Sequence, residues 1–561
     1  MRFLPDGPSI PDELLVARDE GRVVFFCGAG VSRARAGLSD FLGLTTAVAD
    51  TLGIPAHSPT RKLIDEIEKF SPITGVASLT SADRVFGLME REFLPRDIYA
   101  AIASSLKPTA SPDLSAHRTL LDLARRPDGK VRLVTTNFDL LFEACDPKLV
   151  PSRPPRLPDP LRDDEFFGVV HLHGHLNEDY LNAAGDGLVI SSAELGRAYL
   201  SERWATDFIR AVLERHIVVF VGYAADDPPM QYLLEALNRT AGSLSGVYAF
   251  QSGSKEDAEA RWIQKGVQSI AYDAKSNHDG LWNTLDAWAA RARNPDEWYD
   301  RLIEAAKGGP EGFLPHQRGQ VAHLVSTLEG ARRLSRATNA PPATWLCSFD
   351  PHVRFATPSR RHTALGRGLY FDPFDAYGLD SDPVPKKVKP DNPYEKRDVP
   401  PGVWDCFIPT RQDRQNVRDD QFAAFRGHYS RNLPGLTVRL GLVGIWITKV
   451  AKEPAAVWWA ARQTGLHPHV QQQIKYEIAR NDAEFPAVVR KAWRYIFEAW
   501  SIPRSEFYSD WFELAAVIKA DGWNQSTVRQ LAKIKRPYLS VESPFSVAPP
   551  AEASNDYGLG E

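Results

Sequence analysis

A chain of 561 residues, 43% hydrophobic and 25% charged, is too long for one ordinary core and has the balance of a globular protein of two or three domains. Its net charge of −4 excludes the global basic surplus that announces nucleic acid or an anionic membrane. Four cysteines, Cys27, Cys145, Cys347 and Cys406, stand far apart with no Cys-x-x-Cys pair, which argues against a disulfide framework and a structural zinc knuckle.

The N-terminal stretch MRFLPDGPSIPDELLVARDEGR puts proline and acidic residues where a secretory signal needs an unbroken apolar core. The longest apolar runs, near Ile217–Val221 and Leu440–Ile447, fall well short of the ~20 residues that cross a bilayer. A cytoplasmic, reduced protein without a membrane partner is expected.

Along the first half, short runs rich in Val, Ile and Phe occur at Val23–Phe26, Val131–Val134, Val169–Leu172, Ile217–Val221 and Val247–Phe250. Between several of them lie stretches with helical spacing, such as Ala205–Glu214 and Met230–Leu237. Unbroken apolar strands separated by helices predict an α/β fold with a parallel sheet covered on both faces. The alternation fades after Tyr272, and a helical stretch, Leu281–Arg293, closes a first domain at 1–293.

Residues 294–435 read as a mixed region holding a Pro-rich segment, 372–402, that cannot be a helix interior and is expected to be a linker or long loop. From 436 to 541 the pattern is mostly helical. Trp493, Phe497 and Trp500 share one helix face, and Trp458, Trp459, Trp511 and Trp523 add bulk, as in the aromatic core of a helical bundle. The tail 542–561 is expected to be disordered.

Four motifs follow predicted strands. In VVFFCGAGVS, Gly28, Ala29, Gly30 and Ser32 stand between a strand and a helix start. Glycines there let backbone N–H groups approach a pyrophosphate, although Arg33 occupies the third glycine's place in the usual dinucleotide fingerprint, and a plain structural corner fits equally. In VRLVTTNFD the strand ends in Thr135, Thr136, Asn137 and Asp139, all good helix caps or polar site residues.

The third motif, VVHLHGHL, spaces His171, His173 and His175 by two, so that on a strand all three would share one face. No carboxylate or cysteine cluster completes a metal site, and His173 as an acid–base group is the better reading. In the fourth, IVVFVGYAADDP, Gly222 and Tyr223 precede Asp226 and Asp227, which suit a turn or helix cap, or a ribose hydroxyl. Ligands of open parallel sheets bind beyond the carboxyl ends of the strands, so the four motifs could line one cleft.

Together the motifs resemble the sirtuin NAD-binding domain over roughly residues 12–290. Gly28–Ser32 resembles its Gly-Ala-Gly-x-Ser loop. GLSDF (37–41) resembles its Gly-Ile-Pro-Asp-Phe segment with Ser39 for the proline, TTNFD its Thr-Gln-Asn-x-Asp, and LHGHL its catalytic His-Gly. The paired Cys-x-x-Cys module of deacylating sirtuins is missing, and VGYAADDP replaces their Gly-Thr-Ser. Both departures resemble the bacterial sirtuin-like branch of anti-phage defence proteins.

The resemblance implies a Rossmann-like domain that takes NAD+ as substrate, with no metal, and hydrolyses it to nicotinamide and ADP-ribose in abortive infection. It implies that Gly28–Ser32 fix the pyrophosphate and that Gly222–Asp227 hold the adenosine side. Asp40 and Phe41 would cover the nicotinamide ribose. Asn137 would orient the ribose or the attacking water, His173 would serve as general base, and Thr135 and Asp139 would support them. A sirtuin-type deacylase and a non-catalytic NAD- or ADP-ribose-binding module are the alternatives.

The second half offers no acid–base constellation. Its basic groups, Arg360-Arg361-His362, Lys386-Lys387-Lys389 and Lys533-Lys535-Arg536, are solvated charge or a partner surface. Because free NAD+ hydrolysis would kill the host, this half is expected to restrain the enzyme. Homo-oligomerisation, a phage-protein activator, or an argonaute-like or nucleic-acid partner would control it through this half.

Overall fold

A computed structural model describes residues 1–69, 82–223, 228–241, 246–350, 405–414, 424–426, 435–460, 463 and 465–501. The Pro-rich segment, the tail, the three basic groups, Trp511, Trp523, Asp226 and Asp227 lie outside the described residues. The chain divides into one compact unit, Asp6–Asn294, and a second made of Met1–Pro5 with the residues from Pro295 onward.

The first unit is built on a seven-stranded sheet in the order β3-β4-β2-β1-β5-β6-β7. Its strands are β1 Val23–Cys27, β2 Arg132–Thr135, β3 Pro151–Ser152, β4 Gly168–His171, β5 Ile217–Val221, β6 Val247–Ser252 and β7 Gln268–Tyr272. Every neighbouring pair is parallel. All five residues of β1 and of β5 are buried, as expected of central strands covered by helices on both faces. The fold is a Rossmann-like α/β fold.

Strand order decides where a ligand can sit. From β1 the chain goes to β2 on one side and fills out β3 and β4. It then crosses to β5 on the other side of β1 and ends with β6 and β7. The connections therefore part at β1, and the crevice such a reversal leaves lies above the carboxyl ends of β1 and its neighbours.

A separate helical layer, including Phe41–Thr51, Ala82–Met89 and Pro95–Leu106, packs its own core around Val48, Phe86 and Ile102, with Phe138 and Ile190 among its members. The three histidines do not share a strand face, because the chain turns at Gly174, the glycine that follows His173: β4 stops at His171, and Gly174 takes a left-handed φ of +85° that breaks the alternation.

In the second unit the regular elements among the described residues are helices. Pro295–Ala306, Pro315–Val325 and Leu328–Arg336 precede Val438–Val450, Pro454–Ala460, Pro468–Arg480 and Ala487–Ser501. Trp345, Trp446 and Trp493 are fully buried. Each donates its indole N–H to a carbonyl, of Ala306, Pro341 and Ala451 respectively, which satisfies the one polar atom of an otherwise apolar side chain. Phe497 stacks on Trp493 at 5.5 Å and meets Trp500 edge-on at 5.8 Å, the aromatic face expected from their spacing.

Candidate functional site

The ends of β1 and β5 are locked backbone to backbone. Gly28 N–H donates to the Val221 carbonyl at 3.0 Å and Gly30 N–H to that of Gly222 at 2.9 Å. A Cβ on Gly28 would lie 2.6 Å from the Gly222 oxygen, and one on Gly222, whose φ is +60°, would lie 2.6 Å from Val31 N. Close approach thus requires glycine at this corner whatever binds above it. The helix Ala29–Ala36 starts here with no side chain capping it, and ends at Gly37 in the left-handed conformation common after a helix.

Beside the corner, over β5, β6 and β7, opens a cleft of about 360 Å³ lined by Gly30, Arg33, Tyr223, Phe250, Ser252 and Tyr272, among others. Tyr223 packs against Phe26 and Phe220 at 5.2 and 5.6 Å between ring centres. The far wall includes Asn277 and His278, which with Ser276 form three consecutive left-handed residues. Asn277 Nδ2–H donates to the Ala34 carbonyl at 3.1 Å, and Tyr272 Oη lies 3.1 Å from His278 Nδ1. The first contact ties that wall to the helix leaving the glycine corner, the second to the end of β7.

On the other side of β1, a buried polar network occupies the carboxyl end of β2. Thr135 Oγ1–H donates to the Cys27 carbonyl and accepts the Asn137 N–H at 3.0 Å. Ser32 Oγ–H donates to Asp139 Oδ2 at 2.8 Å and accepts Asn137 Nδ2–H at 3.1 Å. His117 Nε2, 3.2 Å from the same hydroxyl, is left as the second donor to it. Burial lowers the His117 pKa, so the ring is neutral with its proton on Nε2.

The Asn137 carbonyl accepts His171 Nδ1–H at 3.0 Å, and His171 Nε2–H points at Glu143 Oε1, also at 3.0 Å. Burial opposes a charge on His171, but the Glu143 carboxylate and its hydrogen bond outweigh it and raise the pKa. Glu143 moves the opposite way: burial raises its pKa, and the His171 charge more than reverses that. Both shifts favour the imidazolium–carboxylate form of this buried pair. His175, 4.9 Å from His171 between ring centres, is pushed toward the neutral form by burial and by that charge, and donates Nδ1–H to Leu176 O at 2.7 Å.

Asn137 is thereby held at its N–H, its carbonyl and its Nδ2, while its Oδ1, buried, has no hydrogen-bond partner among the described residues. His173 is 6% exposed, with Nε2 3.0 Å from Tyr199 Oη. Asp40 caps Phe41–Thr51 through Gly43 N–H at 2.8 Å and pairs with Arg33 at 2.7 Å. Phe41 stacks on Phe86 at 5.5 Å.

The structure therefore joins Ser32, Thr135, Asn137 and Asp139 directly, and sets Gly30, Gly222 and Tyr223 on the cleft. Asn137 and His173 belong to the β2 and β4 ends instead, across β1 from it. His117, Glu143 and Tyr199 were missed by sequence reasoning; of these, only Glu143, four residues past Asp139, stood near a motif. Among the described residues no group of three or more His, Cys, Asp or Glu side chains is placed to hold a metal, and no helix is long and apolar enough to cross a membrane.

Residues 131–270 match the SIR2-like domain family, which ties the sheet bearing Asn137 and His173 to an NAD-related enzyme family. The glycine corner at Gly28–Ser32 precedes the matched residues. The chain is also 32% identical, over 325 residues, to an uncharacterized protein, y4cA, of Sinorhizobium fredii (strain NBRC 101917 / NGR234). That similarity covers 55% of this chain and 26% of the relative, so the chain spans about a quarter of the curated protein it matches.

Proposed function

We propose that the unit Asp6–Asn294 is an NAD+ glycohydrolase in which one dinucleotide lies across the end of β1. The adenosine end occupies the cleft over β5–β7, beside Gly222 and Tyr223. The pyrophosphate meets Gly28, Ala29 and Gly30 at the uncapped helix start, where the helix dipole favours an anion and the absence of side chains lets it approach, the Gly28 and Gly30 N–H groups themselves being committed to the Val221 and Gly222 carbonyls. The nicotinamide ribose reaches the β2 and β4 ends under Asp40 and Phe41.

The observation that carries this reading is Asn137: three of its polar groups are fixed, and the fourth, Oδ1, is a buried acceptor without a donor. Such an atom costs stability unless a ligand or water satisfies it, and a ribose hydroxyl or the attacking water is a donor of the right kind. Cationic nicotinamide is a good leaving group, so the protein has to position the ribose and admit one water. The water oxygen bonds to the anomeric carbon, nicotinamide leaves with the electrons of the C–N bond, and His173 takes the proton. Asp139 acts by holding Ser32.

The same reading makes the chain an abortive-infection effector in anti-phage defence, controlled through its second half by self-association, a phage-protein activator, or an argonaute-like or nucleic-acid partner. Incubation with NAD+, with and without an acetyl-lysine peptide, tests it. Nicotinamide and ADP-ribose formed without peptide are the expected products. Peptide-dependent turnover would make the protein a deacylase, and binding without turnover would make it a non-catalytic reader.

A further inference from the structure

Asn137 leaves an oxygen open, rather than an NH2 group, only because its amide is turned one way. The two ends of a side-chain amide have nearly the same shape, so hydrogen-bond partners decide which end faces where. The nitrogen end of Asn137 meets Ser32 Oγ at 3.1 Å, and the choice therefore lies with that hydroxyl.

Ser32 Oγ has three polar neighbours: Asp139 Oδ2 at 2.8 Å, Asn137 Nδ2 at 3.1 Å and His117 Nε2 at 3.2 Å. A hydroxyl has one proton to give and two lone pairs on which to accept. A carboxylate can only accept, so the proton goes to Asp139. Only donors satisfy the other two contacts: an N–H of the amide and the Nε2–H of the imidazole. Asp139 thus reaches both groups through a single proton.

The carboxylate is itself fixed, its Oδ1 accepting Leu141 N–H at 3.2 Å. Ser32, His117, Asn137 and Asp139 are all buried, so bulk water cannot stand in for a partner that faces the wrong way. His117 comes from the helix Ser115–Ala124 and meets the Phe142 ring edge-on at 4.8 Å. Its Nδ1, buried with no partner among the described residues, is the nitrogen that this count leaves bare.

We propose that Asp139 is a positioning residue that, through the Ser32 proton, turns the Asn137 amide so that its oxygen is the atom left open, with the His117 tautomer as the reporter of that setting. The site then selects a ligand group that donates, a hydroxyl or a water, over a carbonyl or phosphate oxygen. The inference deepens the hydrolase reading and rests on it for the identity of the ligand, but the tautomer is measurable without turnover. In D139N the carboxamide at position 139 can donate to Ser32, which releases the Ser32 proton toward Asn137 or His117 and lets either one accept.

The test uses the full chain labelled with 15N-histidine, with H117Q serving only to assign the His117 ring signals. Wild type is expected to show a protonated Nε2 and a bare Nδ1. In D139N both tautomers should appear, with kcat for NAD+ hydrolysis about ten-fold lower and KM within about two-fold. S32A, which removes the link and keeps Asp139, should give the same mixture and carries the test if D139N does not fold. A wild-type ring protonated on Nδ1, or an unchanged tautomer in either variant, overturns the proposal. If the tautomers behave as expected but wild type turns over no NAD+, the positioning role stands and the hydrolase reading falls. If D139N loses activity with its tautomer unchanged, the positioning role falls and the hydrolase reading stands.

Discussion

Each unit buries a knot of polar side chains, and the two knots are finished differently. In the second unit Asp350, fully buried, accepts Arg426 on one oxygen and Trp459 Nε1 and Gln463 Nε2 on the other, while Arg426 also reaches Asp405 at 2.6 Å. Nearby, Arg439 divides its donors among Asp413 and the carbonyls of Val325, Cys406 and Ile408. In the first unit the network around Asn137 stops short at three buried atoms, Asn137 Oδ1, Glu143 Oε2 and His117 Nδ1, which have no partners among the described residues. A closed network fixes a packing arrangement. One left open at the carboxyl edge of a parallel sheet has room for a ligand's donors.

The sharpest break between the two would come from paired substitutions. N137A and H173A should each lower NAD+ hydrolysis by ~10²–10⁴-fold while the thermal unfolding midpoint stays close to wild type, read by nicotinamide release and calorimetry. R426A should do the reverse. It leaves the buried Asp350 carboxylate and the half-buried Asp405 without their cation and should destabilise the second unit by about 3–5 kcal/mol in urea unfolding. Equal behaviour of N137A and R426A in both assays would erase the distinction.

The glycine corner lies between these extremes, because packing and binding both depend on it. G222A forces an L side chain to a φ of +60° and against Val31 N, and should cost about 1–3 kcal/mol by denaturant unfolding as well as weakening NAD+ binding. The His171–Glu143 pair gives a smaller effect with a defined pH signature. The raised pKa of His171 means its contribution is complete below about pH 6.5 and is lost as pH rises through the folded-state value. The lowered pKa of Glu143 means its share is present above the ordinary carboxylate range and is lost as pH falls through its folded-state value. The melting temperature of wild type should therefore fall relative to H171Q on the alkaline side, and a constant difference would contradict the ion pair. Smallest of all, H175A should keep turnover within about three-fold of wild type, since it carries no reacting proton.

Much of the first unit was legible before any coordinates. β1 and β5 are five-residue apolar runs, and burial on both faces leaves no alternation to confuse them. β3 was not legible, because two residues beginning with proline make no pattern, and β7, an edge strand buried only at Ile270, reads as ordinary loop. The helix Pro295–Ala306 does carry its apolar spacing, at Trp298, Tyr299, Leu302, Ile303 and Ala306, but short elements among many prolines mask it.

The site divides in the same way. Asn137 and Ser32 were visible because strand-end chemistry is local. His117 and Tyr199 were not, since they reach Ser32 and His173 over 85 and 26 residues through packing that no local pattern encodes. The glycines were read correctly as a special corner. Their spacing could not tell that Gly28 and Gly222 need each other's backbone.

The account depends most on one dinucleotide bridging the cleft and the open network across the end of β1. A crystal structure of H173A with NAD+ tests this most directly. The account predicts adenosine beside Tyr223 and Phe250, with the nicotinamide ribose or its water hydrogen-bonded to Asn137 Oδ1. A dinucleotide bound elsewhere, or one whose nicotinamide end points away from an Asn137 still lacking a donor, would contradict it.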